Sequence, residues 1–166
     1  KNYKTIMASN IAKFNKIFDE FLCKLINNFD YDKLKKYRRY FLIISKTQEE
    51  LPANLFMVGC ISYKDKLSKR DETFFTNSEE INEKAKIFGN FTEDSGLRHY
   101  WAELNPETKK NVWDYLQTLF VLAEMIIKKN TKIFDKLNSM YLKDYEEDVK
   151  NLNDKFSLDF LLKLNS

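Results

Sequence analysis

The sequence predicts an all-α, single-domain helical bundle of about six or seven helices covering 1–166. Three observations carry that expectation. Glycine occurs 3 times and proline twice in 166 residues, too few for a sheet built on many tight turns. Apolar residues recur three and four positions apart along most of the chain, the period of an amphipathic helix. Phenylalanine (14) and tyrosine (9) are abundant, so a core of the size this length allows is built largely from rings.

The elements follow in order. Ile11, Phe14, Phe18, Phe21, Leu22, Leu25 and Phe29 share one side of a first helix, with Asp19 and Glu20 on the other. The stretch 27–32, "NNFDYD", is a break with several capping residues. A second helix runs from about Asp32 to Thr47, with Leu34, Tyr37, Phe41 and Ile44 on one face. Pro52 falls in the first turn of a third helix, where its missing N–H costs nothing. That helix carries Leu55, Phe56, Val58 and Ile61. Its pattern fits a stop near Tyr63 and equally a continuation to Phe75.

Asn77 and Glu80 are spaced as a capping box, and Gly89 is a helix stop. A loop at 90–96 and a short helix at 97–104 come next. Asn105 is then an N-cap, Pro106 takes the first helical position, and Glu107 complements the helix dipole. Projected at about 100° per residue, Val112, Trp113, Tyr115, Leu116, Leu119, Phe120, Leu122, Ala123, Ile126 and Ile127 cover half of this helix. Asp114, Gln117, Glu124 and Lys128 lie opposite. So broad an apolar face suits a central helix touching two or three neighbours, and it makes the Trp113 band core rather than binding surface. Ile133, Phe134, Leu137, Met140, Tyr141 and Tyr145 continue at helical spacing. After an acidic run, Leu158, Phe160, Leu161, Leu162 and Leu164 crowd a short helix at 157–164. They spread around more than one side of it, which calls for insertion between helices of the same bundle or burial against a protein partner or second copy, the partner being slightly favoured.

The charge is nearly balanced: 28 basic against 25 acidic residues, net +3. That excludes a general nucleic-acid binder and leaves room for a local basic patch. One such patch is "YDKLKKYRRY" at 31–40. Lys35, Lys36, Arg39 and Lys46 project to one side of the second helix, with Tyr40 at their edge, and make a candidate phosphate-binding face. The mixed run "DKLSKRDE" at 65–72 offers a local Asp65–Lys69 pair or an ion pair to a distant segment.

Catalytic chemistry finds no foothold in this pattern. Histidine occurs once, as His99, and reads as a packed residue beside Tyr100 and Trp101. The three glycines are isolated, so there is no phosphate-cradling loop. Carboxylates adjacent in sequence, such as Glu49–Glu50, Glu79–Glu80 and Glu146–Glu147–Asp148, point about 100° apart on a helix. The expectation is therefore no catalytic residue, no metal, no cofactor and no enzyme. Cys23 and Cys60 sit in helical patterns and read as free buried thiols in a reducing compartment. No stretch reads as a secretory signal. The apolar run at 119–127, broken by Glu124, falls short of the roughly 20 residues of a membrane span.

Three segments carry a resemblance. They are "FNKIFDEFLCKLINNF" at 14–29, "YKDKLSKRDETFF" at 63–75 and "WAELNPETKKNVWDYLQTLFVLA" at 101–123. A leading amphipathic helix precedes a K-D-x-[IL] stretch ending in D-E-x-F-F, then W-x-x-L and a W-x-Y-L-Q-x-L helix. This order resembles small helical proteins of nucleocytoplasmic large DNA viruses, over about a third of the chain. The resemblance implies a viral, intracellular setting, in host cytoplasm or virion, and supplies no catalytic residue. The leading expectation is a non-enzymatic structural or adaptor protein acting through protein–protein contacts. The alternative is a nucleic-acid-associated factor using the basic second helix, with weak affinity.

Overall fold

The chain is an all-α helical bundle. A computed structural model describes residues 3–76 and 97–143. In order, the elements are α1 (Tyr3–Asn28), α2 (Asp32–Thr47), α3 (Leu51–Cys60), a 3₁₀ turn (Ile61–Tyr63), α4 (Lys64–Lys69) and α5 (Thr73–Thr76). After 77–96 come α6 (Leu97–Tyr100), a second 3₁₀ turn (Trp101–Glu103), α7 (Pro106–Lys129) and α8 (Lys132–Lys143). Among the described residues there is no strand. The predicted capping box at Asn77, the Gly89 stop, the loop at 90–96 and the interface residues Leu158, Phe160, Leu161, Leu162 and Leu164 lie outside the described residues.

Helix α1 forms because its apolar residues repeat on one side. Ile11, Phe14, Phe18, Phe21, Leu22 and Leu25 are all buried, as is Phe29 just past its end. Burying each large apolar side chain stabilises the fold by about 1.5–3 kcal/mol, before chain entropy is subtracted. That face packs mainly on α7 and α2. Helix α2 begins at Asp32 and has Lys46 in its last turn, charges that suit the two ends of the helix dipole. It buries Leu34, Phe41 and Ile44, with Tyr37 half-buried against Phe18.

Helix α3 has no polar side. Leu51, Pro52, Ala53, Phe56, Met57, Val58, Gly59 and Cys60 are buried. A helix that is apolar all round needs neighbours all round, and α1, α2, α7 and α8 supply them. The polar exception is Asn54, 1% exposed, whose Nδ2 donates to the Glu50 carbonyl at 2.8 Å. The helix ends at Cys60, the earlier of the two stops the sequence allows. Ile61, expected on its apolar face, is instead 43% exposed. The switch to a 3₁₀ turn, with three residues per turn, rotates that side chain out of line with the preceding face.

Helix α7 starts as its sequence predicts. The Asn105 side chain accepts the Thr108 N–H at 2.8 Å, and Pro106 occupies the first turn. Val112, Trp113, Leu116, Leu119, Phe120, Leu122, Ala123, Ile126 and Ile127 are buried. The helix touches α1, α3 and α4. The aromatic band around Trp113 is therefore core. Rings from three segments meet there: Phe75 stacks on Trp101 at 4.1 Å between centroids, and Trp113 lies 5.0 Å from Phe75 and 5.6 Å from Trp101. A second set of rings, Phe14, Phe18, Phe41 and Phe56, joins α1, α2 and α3 in mostly edge-on contacts. His99 does not pack as expected. It is exposed, with its ring edge-on to Tyr100 at 4.6 Å. The one-turn α6 has room on its inner side for Leu97, and Trp101 follows it into the core.

Candidate functional site

The outward face of α2 gathers the side chains with chemistry left to use. Lys35, Lys36, Arg39 and Lys46 are all exposed. At about 100° per residue they occupy an arc of about 100°, opposite the buried Leu34, Phe41 and Ile44. Arg38, the remaining cation of "KKYRRY", points elsewhere. Its Nε and Nη2 donate to Asp19 Oδ1 at 2.8 Å and Oδ2 at 3.3 Å, a fork that ties α2 to α1.

The four cations are not equally committed. Lys35 Nζ meets Asp30 Oδ1 at 3.1 Å, but Asp30 is 94% exposed in its side chain. Such a pair is held weakly and exchanges readily for another anion. Lys36 Nζ lies 5.6 Å from the centre of the Tyr40 ring. Arg39 and Lys46 have no ion-pair partner among the described residues. Lys46 also sits where the helix C-terminus favours a cation, so one part of its role is structural. Asp32, in the first turn, falls on the same arc and lowers the positive potential at that end. The basic character is strongest from Lys36 to Lys46.

Tyr40 and Ile43 complete the face, 40% and 44% exposed. The sequence projection placed Tyr40 at the edge of the cations and passed over Ile43. Its signal was present: an apolar residue on the polar side of an otherwise clean projection. The same signal marks Val121 and Met125, four apart on α7, outside the buried arc, 54% and 43% exposed.

The polar side of α7 holds a different arrangement. Asp114, Gln117 and Glu124, projected as lying opposite the core, are not simply solvated. Asp114 and Gln117 accept from Arg70 Nη2 at 2.5 Å and 2.9 Å, Gln117 Nε2 donates to the Leu67 carbonyl at 2.9 Å, and Glu124 meets Lys64 at 3.1 Å. These contacts strap α4 along α7. The predicted local Asp65–Lys69 pair does not form, and the distant pairing of the "DKLSKRDE" run does. Arg70 and Lys110 donate to Asp114 and hold its carboxyl below the ordinary carboxylate range.

Among the described residues, no group of three His, Cys, Asp or Glu side chains converges as a metal site would. Cys60 is buried, and desolvation pushes its thiol well above the ordinary value. Cys23 is half-buried on α1. No described helix is long and apolar enough to cross a membrane. No family model, curated protein or solved structure matches the chain.

Proposed function

We propose that this chain is a non-enzymatic structural or adaptor protein that works through protein–protein contacts on its helical faces. The observation that carries the reading is the pair Val121 and Met125, 54% and 43% exposed and one turn apart on α7. Large apolar side chains left in water at helical spacing fit a partner helix laid along them, and methionine adapts to varied surfaces. The apolar run Leu158, Phe160, Leu161, Leu162 and Leu164 is a second candidate contact. The proposed setting is a large DNA virus, in host cytoplasm or virion, which rests on the three sequence blocks alone.

The test compares the wild-type chain with Val121→Glu/Met125→Glu and with a chain ending at Lys155. Light scattering reads self-association, and affinity capture reads partners. Loss of a dimer or of a specific captured protein in either variant, with the helical circular dichroism signal intact, supports the reading. Unchanged contacts in both variants overturn it.

The exposed basic face of α2 favours a second reading, association with nucleic acid. Arg39 and Lys46 are the observation behind it, as cations without an ion-pair partner among the described residues. Retention on a heparin or DNA column at low salt, released steeply as salt rises, is the expected behaviour.

A further inference from the structure

We infer that the outward face of α2 binds single-stranded nucleic acid, with Tyr40 as the stacking platform for a base. The inference rests on the second reading above and adds to it the strandedness of the ligand and the residue that selects it.

Tyr40 differs in its surroundings from five of the other tyrosines. Tyr31, Tyr37, Tyr63, Tyr100 and Tyr115 each pack against another ring of the core. Tyr40 has no ring neighbour among the described residues and is 40% exposed. What approaches it is Lys36, with Nζ 5.6 Å from the ring centre. A cation on one side of an exposed ring places a phosphate-binding charge beside a surface on which a base stacks. Ile43, one turn further along and 44% exposed, extends the apolar strip between Arg39 and Lys46.

The order along the helix is cation, ring, apolar side chain, cation. From Lys35 to Lys46 it spans about 16 Å at 1.5 Å per residue. Duplex phosphates are met by cations and hydrogen-bonding groups, which leaves the Ile43 side chain and the face of the Tyr40 ring without a part to play. An unpaired strand presents bases and phosphates side by side, and this face offers a match to each. A membrane surface is the poorer fit. The broad apolar side of α2, with Leu34, Phe41 and Ile44, is buried in the bundle, leaving Tyr40 and Ile43 as its exposed large apolar residues.

The experiment is fluorescence anisotropy of the full chain with labelled oligo-dT of about 12 nucleotides and a hairpin duplex of the same charge. A salt titration accompanies each. The single strand is expected to bind more tightly than the duplex. Tyr40→Ala should weaken single-strand binding by about 5- to 150-fold, and Tyr40→Phe should restore most of it. Changing Lys35, Lys36, Arg39 and Lys46 together to Gln should flatten the salt dependence by about 0.7 log units per lost contact. All five side chains are on the outside of α2, and circular dichroism checks that each variant folds. Equal binding of strand and duplex, with Tyr40→Ala neutral, overturns the inference and leaves nucleic-acid association standing. Equal competition by polyglutamate also overturns it. Binding to neither probe at low salt overturns both.

Discussion

Arg70 Nη2 reaches across 44 positions of sequence to Asp114 Oδ1 at 2.5 Å. The residue that makes this contact is also the one that ends α4. Its backbone is left-handed, at φ 54° and ψ 45°. The Asp71 N–H returns to the Lys66 carbonyl at 2.9 Å, and the Arg70 N–H to that of Leu67 at 3.3 Å. This is the helix stop that glycine usually makes. An arginine there accepts a strained backbone and gains a tie to Asp114 and Gln117 on α7. The turn then points the chain so that Phe74 and Phe75 enter the core against Trp101 and Trp113.

Substitution at Arg70 separates the two effects. Arg70→Ala loses the side-chain bonds and keeps the left-handed backbone, whose cost for a non-glycine residue is about 1–2 kcal/mol. Arg70→Gly loses the same bonds and removes that cost. The glycine variant should therefore melt above the alanine variant, at about 2–4 °C per kcal/mol for a chain of this size. Thermal unfolding of both reads the difference, and identical melting temperatures would refute a contribution from the backbone.

Acid should loosen the same strap. Asp114 is held below its ordinary value by hydrogen bonds from Arg70 and Lys110. Asp71 is held low by the backbone N–H and hydroxyl of Thr73, at 3.0 Å and 2.7 Å from Oδ1. A carboxyl whose folded pKa lies below its unfolded one contributes stability above the unfolded value of 3.8. That contribution is lost as pH falls through the folded value. Urea midpoints should therefore drop on going from pH 5 toward pH 2, and less so in Asp71→Asn/Asp114→Asn. Parallel slopes in variant and wild type would assign the acid sensitivity to other groups.

Much of the fold was legible in the sequence because burial follows helical period. The α1 residues Phe14, Phe18, Phe21 and Leu22 repeat on one side, and all are buried. The Asn105–Pro106 start of α7 is a local signal that needs no tertiary information. Helix α3 was readable only in part, since a segment wrapped on all sides has no polar stripe to mark its limits. The Arg70 link was one of two readings of a mixed-charge run. Local spacing favoured Asp65 with Lys69, and the left-handed turn that carries Arg70 to α7 has no glycine to announce it. On α2 the four cations were readable from projection. Ile43 showed there only as an apolar residue on the polar side, and its exposure depends on what fails to cover it.

The interior position of Trp113 sets a stability prediction. Trp113 is 4% exposed and touches Phe74, Phe75 and Trp101. Trp113→Ala leaves a large cavity among rings and should cost about 3–5 kcal/mol. Trp101 is 1% exposed, so the native emission of both tryptophans should be blue-shifted and resist acrylamide. Red-shifted, freely quenched emission from the folded chain would place one of them on the surface.

The two cysteines should react at very different rates. The thiolate is the reactive form, so both access and pKa govern alkylation. Cys60 is fully buried in α3, and loss of solvation raises its thiol well above the ordinary value of 9.0. Cys23 is half-buried on α1 and partly open to reagent. Iodoacetamide at neutral pH should therefore label Cys23 first, and Cys60 only as the chain unfolds. Mass spectrometry of peptides taken along a urea series measures this directly. Cys60 labelling should rise with the same midpoint as the loss of helical signal, since the helices packed on α3, namely α1, α2, α7 and α8, enclose it. Cys60 labelling in native buffer at the rate of Cys23 would show that α3 is not enclosed as described.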